Sequence, residues 1–316
     1  MSNFAFNRFI LRQIMPFLAQ TPIQYLQGKQ HCQIAYRHFR HNSPSLKTAD
    51  KKLIIFANGR AENLTKWSEL AYNFFQKGYD VLVFDHRGQG HSQRLLADQQ
   101  KGYIDEFRFY TDDMATLIKH INAQNDYQQQ YLLAHSMGSL ISAYYLANYD
   151  HHINKTVFCA PFFGVPLSHP IRDQLLINLM MLTGQGQRYI FGKGRYQKVD
   201  LHHNRLSHST ARMAWFNRIN RTYPELCLGG PTFRWLHLSL NAIAKLPRIL
   251  TRIDIPVLLL QAEQEQVVNN KKLPFLTAVL SQGELRKIAN SKHEMLFERD
   301  DIRATAFTHI HDFLQP

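Results

Sequence analysis

At 316 residues, 45% hydrophobic and 19% charged, the chain is long enough to bury a full core and too apolar to remain disordered. Its formal net charge of +13 is far from ordinary and points toward polyanions, either nucleic acid or an anionic lipid surface. The three cysteines, Cys32, Cys159 and Cys227, are too few and odd in number for a disulfide framework and lack metal-ligand spacing, which favours a reducing compartment.

The chain begins with Phe4 to Leu18, which mixes aromatic and aliphatic residues with Arg8 and Arg12. This reads as an amphipathic helix able to lie in a membrane interface, interrupted near its end by Pro16, and not as a signal peptide. Gln33 to Phe39 alternates in polarity and suits an antiparallel edge strand. Leu53 to Ala57 reads as a strand, Lys66 to Gln76 as a helix, Val81 to Phe84 as a strand and Asp112 to Ala123 as a helix. Tyr131 to Leu133 then reads as a strand, Gly138 to Ala147 as a helix and Lys155 to Cys159 as a strand. After a long interval come a strand at Pro256 to Gln261, a helix at Lys271 to Leu280, a strand at Leu285 to Ala289 and a closing helix at Asp301 to Phe313. Strands alternating with helices of this length imply parallel β-α-β units with helices on both faces of one sheet.

The interval is different in kind. Between Gly164 and Arg248 buried strands disappear, and segments such as Leu175 to Leu182 and Phe233 to Leu246 read as helices. Residues 161 to 250 hold twelve Lys and Arg against three Asp and Glu, so an excess of nine supplies most of the net charge. We read residues 1–163 and 249–316 as an α/β core and 164–248 as an inserted basic helical cap. The basic residues Arg172, Arg188, Lys193, Arg195, Arg205, Arg212 and Arg218 are then candidates to meet phosphate head groups, at about 1 kcal/mol each beside an anionic leaflet. Even the longest apolar runs fall short of the roughly 18 residues of a membrane span.

The sharpest chemical signal is Ala134-His135-Ser136-Met137-Gly138, directly after a strand and before a helix. This is the G-x-S-x-G turn with Ala in place of the first Gly. Small residues are needed two before and two after the serine because the strand turns sharply into the helix and crowds them together. Two further loops follow strands: Asn58 to Asn63, and Asp85-His86-Arg87-Gly88-Gln89-Gly90-His91-Ser92, which reads as a structural brace. The paired histidines His151-His152 and His202-His203 have no accompanying carboxylate cluster and read as exposed, so no metal is expected.

On these residues the chain resembles the α/β-hydrolases of the monoglyceride lipase and lysophospholipase family, and most of all the bacterial lysophospholipases of the L-two type. Asp85 to Ser92 matches the family's D-x-R-G-x-G-x-S signature, and His135 to Gly138 its H-S-M-G turn. One departure is Asn58-Gly59 where the family's loop begins His-Gly. The resemblance implies an α/β-hydrolase fold with a mostly parallel sheet, helices on both faces and the inserted cap. It also implies a nucleophile–acid–histidine order. Ser136 is then the nucleophile, and His293, after the strand Leu285 to Ala289, the base. The G-x-x-D-x-x-V pattern maps onto Ala262 to Val268 and puts Glu265 in the acid role, with Glu263 as its rival. The backbone amides of Arg60 and Met137 are the expected oxyanion donors.

The implied function is hydrolysis of the fatty-acyl ester of a lysophospholipid, with transacylation as a side activity and no cofactor. Monoacylglycerol lipase or general carboxylesterase activity is the first alternative. An inactive membrane-binding relative is the second. The expected partners are the lipid substrate and an anionic membrane surface, with no nucleic acid, since no nucleic-acid module is present. The expected location is peripheral, on the cytoplasmic side of the inner membrane.

Overall fold

The computed structural model describes residues 2–41 and 51–315. Its strands are β1 (Gln24–Gln27), β2 (Gln33–Phe39), β3 (Lys52–Ala57), β4 (Tyr79–Phe84), β5 (Gln129–His135), β6 (Ile153–Cys159), β7 (Val257–Ala262) and β8 (Gly283–Ile288). They form one sheet in the order β1-β2-β4-β3-β5-β6-β7-β8. β2 pairs antiparallel with both β1 and β4, and every pairing from β4 through β8 is parallel.

The central strands read as unbroken apolar runs because both of their faces are covered. Along β3, Leu53, Ile55 and Ala57 enter one core while Ile54 and Phe56 enter the other. The first core is closed by α4 (Arg108–Asn122), α5 (Met137–Asn148), α8 (Phe233–Leu250) and α9 (Leu273–Val279). The second is closed by α1 (Asn3–Phe9), α2 (Met15–Gln20), α3 (Ser68–Phe75), α7 (Thr210–Thr222) and α10 (Asp300–Leu314). α6 (Pro170–Leu182) packs on α8. No helix among the described residues is long and apolar enough to cross a membrane.

Three expectations change. β2 is not the edge of the sheet, because β1 lies outside it. β1 is only four residues long and largely exposed, so it carries no buried alternation for a pattern to reveal. The N-terminal segment is helical, but its apolar face is turned into the protein. Phe6, Ile10, Ile14, Phe17 and Leu18 are all buried, and Phe17 stacks on Phe39 at 4.2 Å. At about 1.5–3 kcal/mol for each buried side chain, that face is committed to the core, while Phe4, Leu11 and Met15 of the same segment remain 77%, 64% and 45% exposed. Pro16 does not break the segment. It falls where a π-helical stretch over Ile10–Ile14 passes into α2, and the chain stays helical through it.

The third change is Arg212, expected to meet head groups. It is buried, and its guanidinium pairs with Glu69 at 2.7 Å and Asp300 at 2.8 Å. The segment between β6 and β7 is therefore built into both cores. Trp215 and Phe216 of α7 lie in one and Phe233 and Trp235 of α8 in the other.

Candidate active site

β5 ends at His135, and α5 starts at Met137. Ser136 joins them with φ 50° and ψ −116°, a backbone conformation that L-residues rarely adopt. The turn is held from three sides: Ser136 N donates to Cys159 O, while Ser136 O accepts from Ser139 N and Phe162 N, each at 3.0 Å. Gly138 explains the requirement for a small residue. A Cβ there would lie 2.1 Å from Ala57 O and 2.6 Å from Asn58 O, both backbone atoms that cannot swing away.

The other two candidates come from the far end of the chain. Ser136 Oγ lies 3.0 Å from His293 Nε2, and His293 Nδ1 lies 2.8 Å from Glu265 Oε2. His293 and Glu265 side chains are both 4% exposed. The remaining oxygen of Glu265 accepts the N–H groups of Val267 and Val268 at 2.7 and 3.1 Å. Burial works against the Glu265 charge. The hydrogen bond and charge of His293, with the two amides, outweigh it and hold this carboxyl below its usual range. Glu263 stands apart. It is exposed, bonds Asn290 N and pairs with Lys287 at 3.1 Å, so it has no contact with His293.

Among the described residues the N–H groups of Arg60 and Met137 donate to no protein acceptor. An N–H left open at the start of α5 and one on the loop after β3 are the kind of donors an oxyanion requires. The Asp85 to Ser92 segment acts on that loop as a brace. Asp85 accepts from Asn58 Nδ2, Leu64 N and His91 N, at 2.8, 2.7 and 2.8 Å. Gln89 Nε2 donates to Asn58 Oδ1 and Gly59 O, at 3.1 and 2.8 Å. Asn58, the residue that departs from the family pattern, is thus fully engaged. Arg87 clamps Asp113 through two contacts of 2.6 and 2.7 Å.

A buried ionic cluster behind the site has no counterpart in the sequence reading. Lys66, with no exposure, pairs with Glu62 at 2.9 Å and with Glu294 at 2.7 Å. Glu62 also accepts Gly59 N at 2.5 Å and Trp67 Nε1 at 3.0 Å. Its fourth neighbour is His135, whose Nδ1 lies 3.1 Å from Glu62 Oε1, while His135 Nε2 lies 3.1 Å from His293 O. Both ring nitrogens of His135 face acceptors, an arrangement that favours the imidazolium. Burial opposes that charge, and the charge and hydrogen bond of Glu62 overcome it, raising His135 above its usual range. The cluster ties the loop after β3, the Ser136 turn and the His293 backbone into one unit. The signal that marks it in the sequence is the i, i+4 pair Glu62 and Lys66, together with a glutamate directly after His293.

Comparison with known proteins agrees with the family expected from the motifs. The family described as Serine aminopeptidase, S33 (Hydrolase_4) matches residues 48–300. A protein of Haemophilus influenzae named "Probable lysophospholipase L2" is 54% identical over 98% of this chain and 97% of its own length. "Lysophospholipase L2" of Escherichia coli K12 is 31% identical over 98% of this chain and 92% of its own. A soluble variant of monoglyceride lipase from Saccharomyces cerevisiae, solved with a substrate analogue, superposes with a TM-score of 0.70. It is 18% identical and covers 93% of this chain and 95% of its own, a likeness of fold. The chain belongs to the Serine aminopeptidase, S33 family of α/β-hydrolases.

Proposed function

We propose that this chain is a serine esterase that removes the fatty-acyl group of lysophospholipids at a membrane surface. The observation that carries the esterase chemistry is the relay from Ser136 Oγ to His293 Nε2 at 3.0 Å and from His293 Nδ1 to Glu265 at 2.8 Å. In this reading His293 takes the Ser136 proton as Oγ attacks the ester carbonyl, and Glu265 fixes the imidazole tautomer and steadies the imidazolium. The Arg60 and Met137 amides hold the developing oxyanion. His293 then returns its proton to the departing glycerophosphodiester, and water cleaves the acyl-Ser136 ester. A lipid alcohol in place of that water gives transacylation.

The lysophospholipid substrate is supported by the names of the two relatives that match this chain nearly end to end. Residues 164–248 serve as the cap in this reading, and α6 turns an apolar stripe outward. Ile171, Leu175, Leu179 and Leu182 are 81%, 65%, 55% and 87% exposed, and Phe191 nearby is 65% exposed. Their spacing puts the four α6 residues on one helical face. Arg172 lies on α6 itself, and Arg188, Lys193, Arg195, Arg205 and Arg218 of the same 164–248 segment are exposed, a combination of apolar and basic surface expected of a protein that lies on anionic lipid. Residence on the cytoplasmic side of the inner membrane fits this surface.

The test is hydrolysis of lysophosphatidylethanolamine and of monoacylglycerol with the same acyl chain by wild type and Ser136→Ala. Faster release of fatty acid from the lysophospholipid, abolished by Ser136→Ala, supports the reading. Equal rates on both lipids favour a monoacylglycerol lipase or general carboxylesterase. No release from either, with no labelling of Ser136 by a fluorophosphonate, leaves only a membrane-binding protein. Sedimentation with vesicles containing phosphatidylglycerol, compared between wild type and Leu175→Glu/Leu179→Glu, tests the surface separately.

A further inference from the structure

Among the described residues the deeply buried Lys66, Arg87, Arg212 and Arg303 are matched by carboxylates: Lys66 by Glu62 and Glu294, Arg87 by Asp113, Arg212 by Glu69 and Asp300, and Arg303 by Glu69. Arg60 has no such partner; Arg37 and Arg94 also lack one, but each of their guanidinium groups donates to two backbone carbonyls. Arg60 sits on the loop after β3, partly buried, with its side chain running under the 164–248 segment. There Nη1 donates to Gly229 O at 2.8 Å, and the guanidinium carbon stands 5.6 Å from the centre of the Trp235 ring. Gly102 makes space for it, since a Cβ at that position would come within 2.9 Å of Arg60 Nη1. Among the described residues no carboxylate lies within ion-pair distance of Arg60, and Gly229 O is the one acceptor its side chain reaches. Burial alone pulls the guanidinium down to about 10, so it remains charged at neutral pH. A desolvated guanidinium without a counter-charge is unfavourable, and this one, on the loop that carries a candidate oxyanion amide, has most of its N–H donors open.

We propose that the Arg60 guanidinium receives the phosphodiester of the substrate and thereby selects lysophospholipids over neutral monoacylglycerols. The inference rests on the lysophospholipase reading for the identity of that substrate. One residue would then grip both ends of the reacting unit: its amide the acyl oxyanion, its side chain the phosphate. In a lysophospholipid these two groups are separated by the three-carbon glycerol and one ester oxygen. That spacing matches the length of an arginine side chain from backbone to guanidinium. Arginine suits the task because its planar fork can hold two phosphate oxygens at once, which a lysine ammonium cannot.

The experiment compares wild type, Arg60→Gln and Arg60→Lys as full chains. kcat and KM are measured on lysophosphatidylethanolamine and on monoacylglycerol of the same acyl chain. Binding of glycerophosphoethanolamine and of inorganic phosphate is measured by calorimetry. Any disturbance of the loop amide falls on both esters and cancels in the ratio of their kcat/KM values. Arg60→Gln is expected to lower that ratio, lysophospholipid over monoacylglycerol, at least tenfold, about 1.4 kcal/mol, chiefly through KM. Arg60→Lys is expected to recover part of it. Glycerophosphoethanolamine is expected to bind wild type and to weaken by a similar factor in Arg60→Gln. Binding of inorganic phosphate alone at that site would assign it to free phosphate and overturn the substrate role. A ratio within twofold of wild type, with glycerophosphoethanolamine bound equally well, also overturns the proposal. If wild type leaves lysophosphatidylethanolamine intact, the substrate reading fails by itself, and the glycerophosphoethanolamine measurement decides Arg60. If Arg60→Gln does not fold, the ratio in Arg60→Lys decides it, with a drop of threefold or more expected and no change refuting.

Discussion

Replacing Glu265 by Gln preserves the shape of the side chain and changes one proton. Oε1 still accepts the amides of Val267 and Val268, which fixes the other arm of the new carboxamide as the NH2 group facing His293. That group donates to His293 Nδ1 where a carboxylate oxygen now accepts at 2.8 Å. The imidazole is forced into the tautomer with its proton on Nε2, pointing at Ser136 Oγ 3.0 Å away, and the base is lost. A substitution of this kind lowers kcat by about a thousand- to ten-thousand-fold, or about 4–5.5 kcal/mol of barrier. KM is expected to change little, because Glu265 has no direct contact with substrate in this account. Glu263→Gln is expected to stay within twofold of wild type, since Glu263 is exposed and pairs with Lys287. The assay is ester hydrolysis with the rate of fluorophosphonate labelling beside it. Retention of more than a tenth of wild-type kcat in Glu265→Gln, or an equal loss in Glu263→Gln, refutes this assignment.

Gly138→Ala should lower kcat more than tenfold and cost about 1–3 kcal/mol of stability, because its Cβ would press on backbone oxygens at 2.1 and 2.6 Å. Wild-type unfolding midpoint and activity in that variant would show the contact to be wrong. Lys66→Met removes the lysine that the buried Glu62 and Glu294 share, leaving Glu294 unpaired, and should cost about 3–5 kcal/mol. A denaturant midpoint equivalent to less than 1 kcal/mol would contradict the cluster. Burial pushes the Asp85 carboxyl from 3.8 up to about 7, against the hydrogen bonds of His91, Asn58 and Leu64. A carboxyl raised by folding binds protons more tightly in the native state, so its contribution to stability is present at low pH and is lost as pH rises from 3.8 to about 7. Asp85→Asn, though less stable, should lose less stability than wild type between pH 5 and 7, and an unchanged slope in denaturant titrations would oppose this.

What the sequence made legible followed from local pattern. The fully apolar runs at β3, β4, β5 and β7 announced strands covered on both faces, and crowding around Ser136 announced itself as small residues on either side. His293 and Glu265 were reachable through chain order and motif position, although no local property separated Glu265 from Glu263. That separation needs three dimensions: one carboxylate turns inward to His293 and two amides, the other outward to Lys287. The Glu62–Lys66–Glu294 cluster was hidden because isolated charges read as solvated surface, and Glu294 lies more than 200 residues along the chain from the other two. Arg212 misled for the same reason in reverse. Its partner Glu69 comes from the first half of the chain, so it reads as surface charge while serving as a buried tie between α3 and α7. The apolar face of the N-terminal helix was visible, but whether it met lipid or Phe39 was a question of tertiary packing.

The most direct measurement is capture of the covalent intermediate. Lysophosphatidylethanolamine with an isotope-labelled acyl chain is mixed with the enzyme, quenched in acid during turnover, and the protein is digested and mapped by mass spectrometry. The labelled acyl mass is expected on the peptide containing Ser136, absent in Ser136→Ala and accumulating more slowly in Glu265→Gln. Continued release of fatty acid by Ser136→Ala, or acyl label on another residue with Ser136 unmodified, would contradict the role of Ser136.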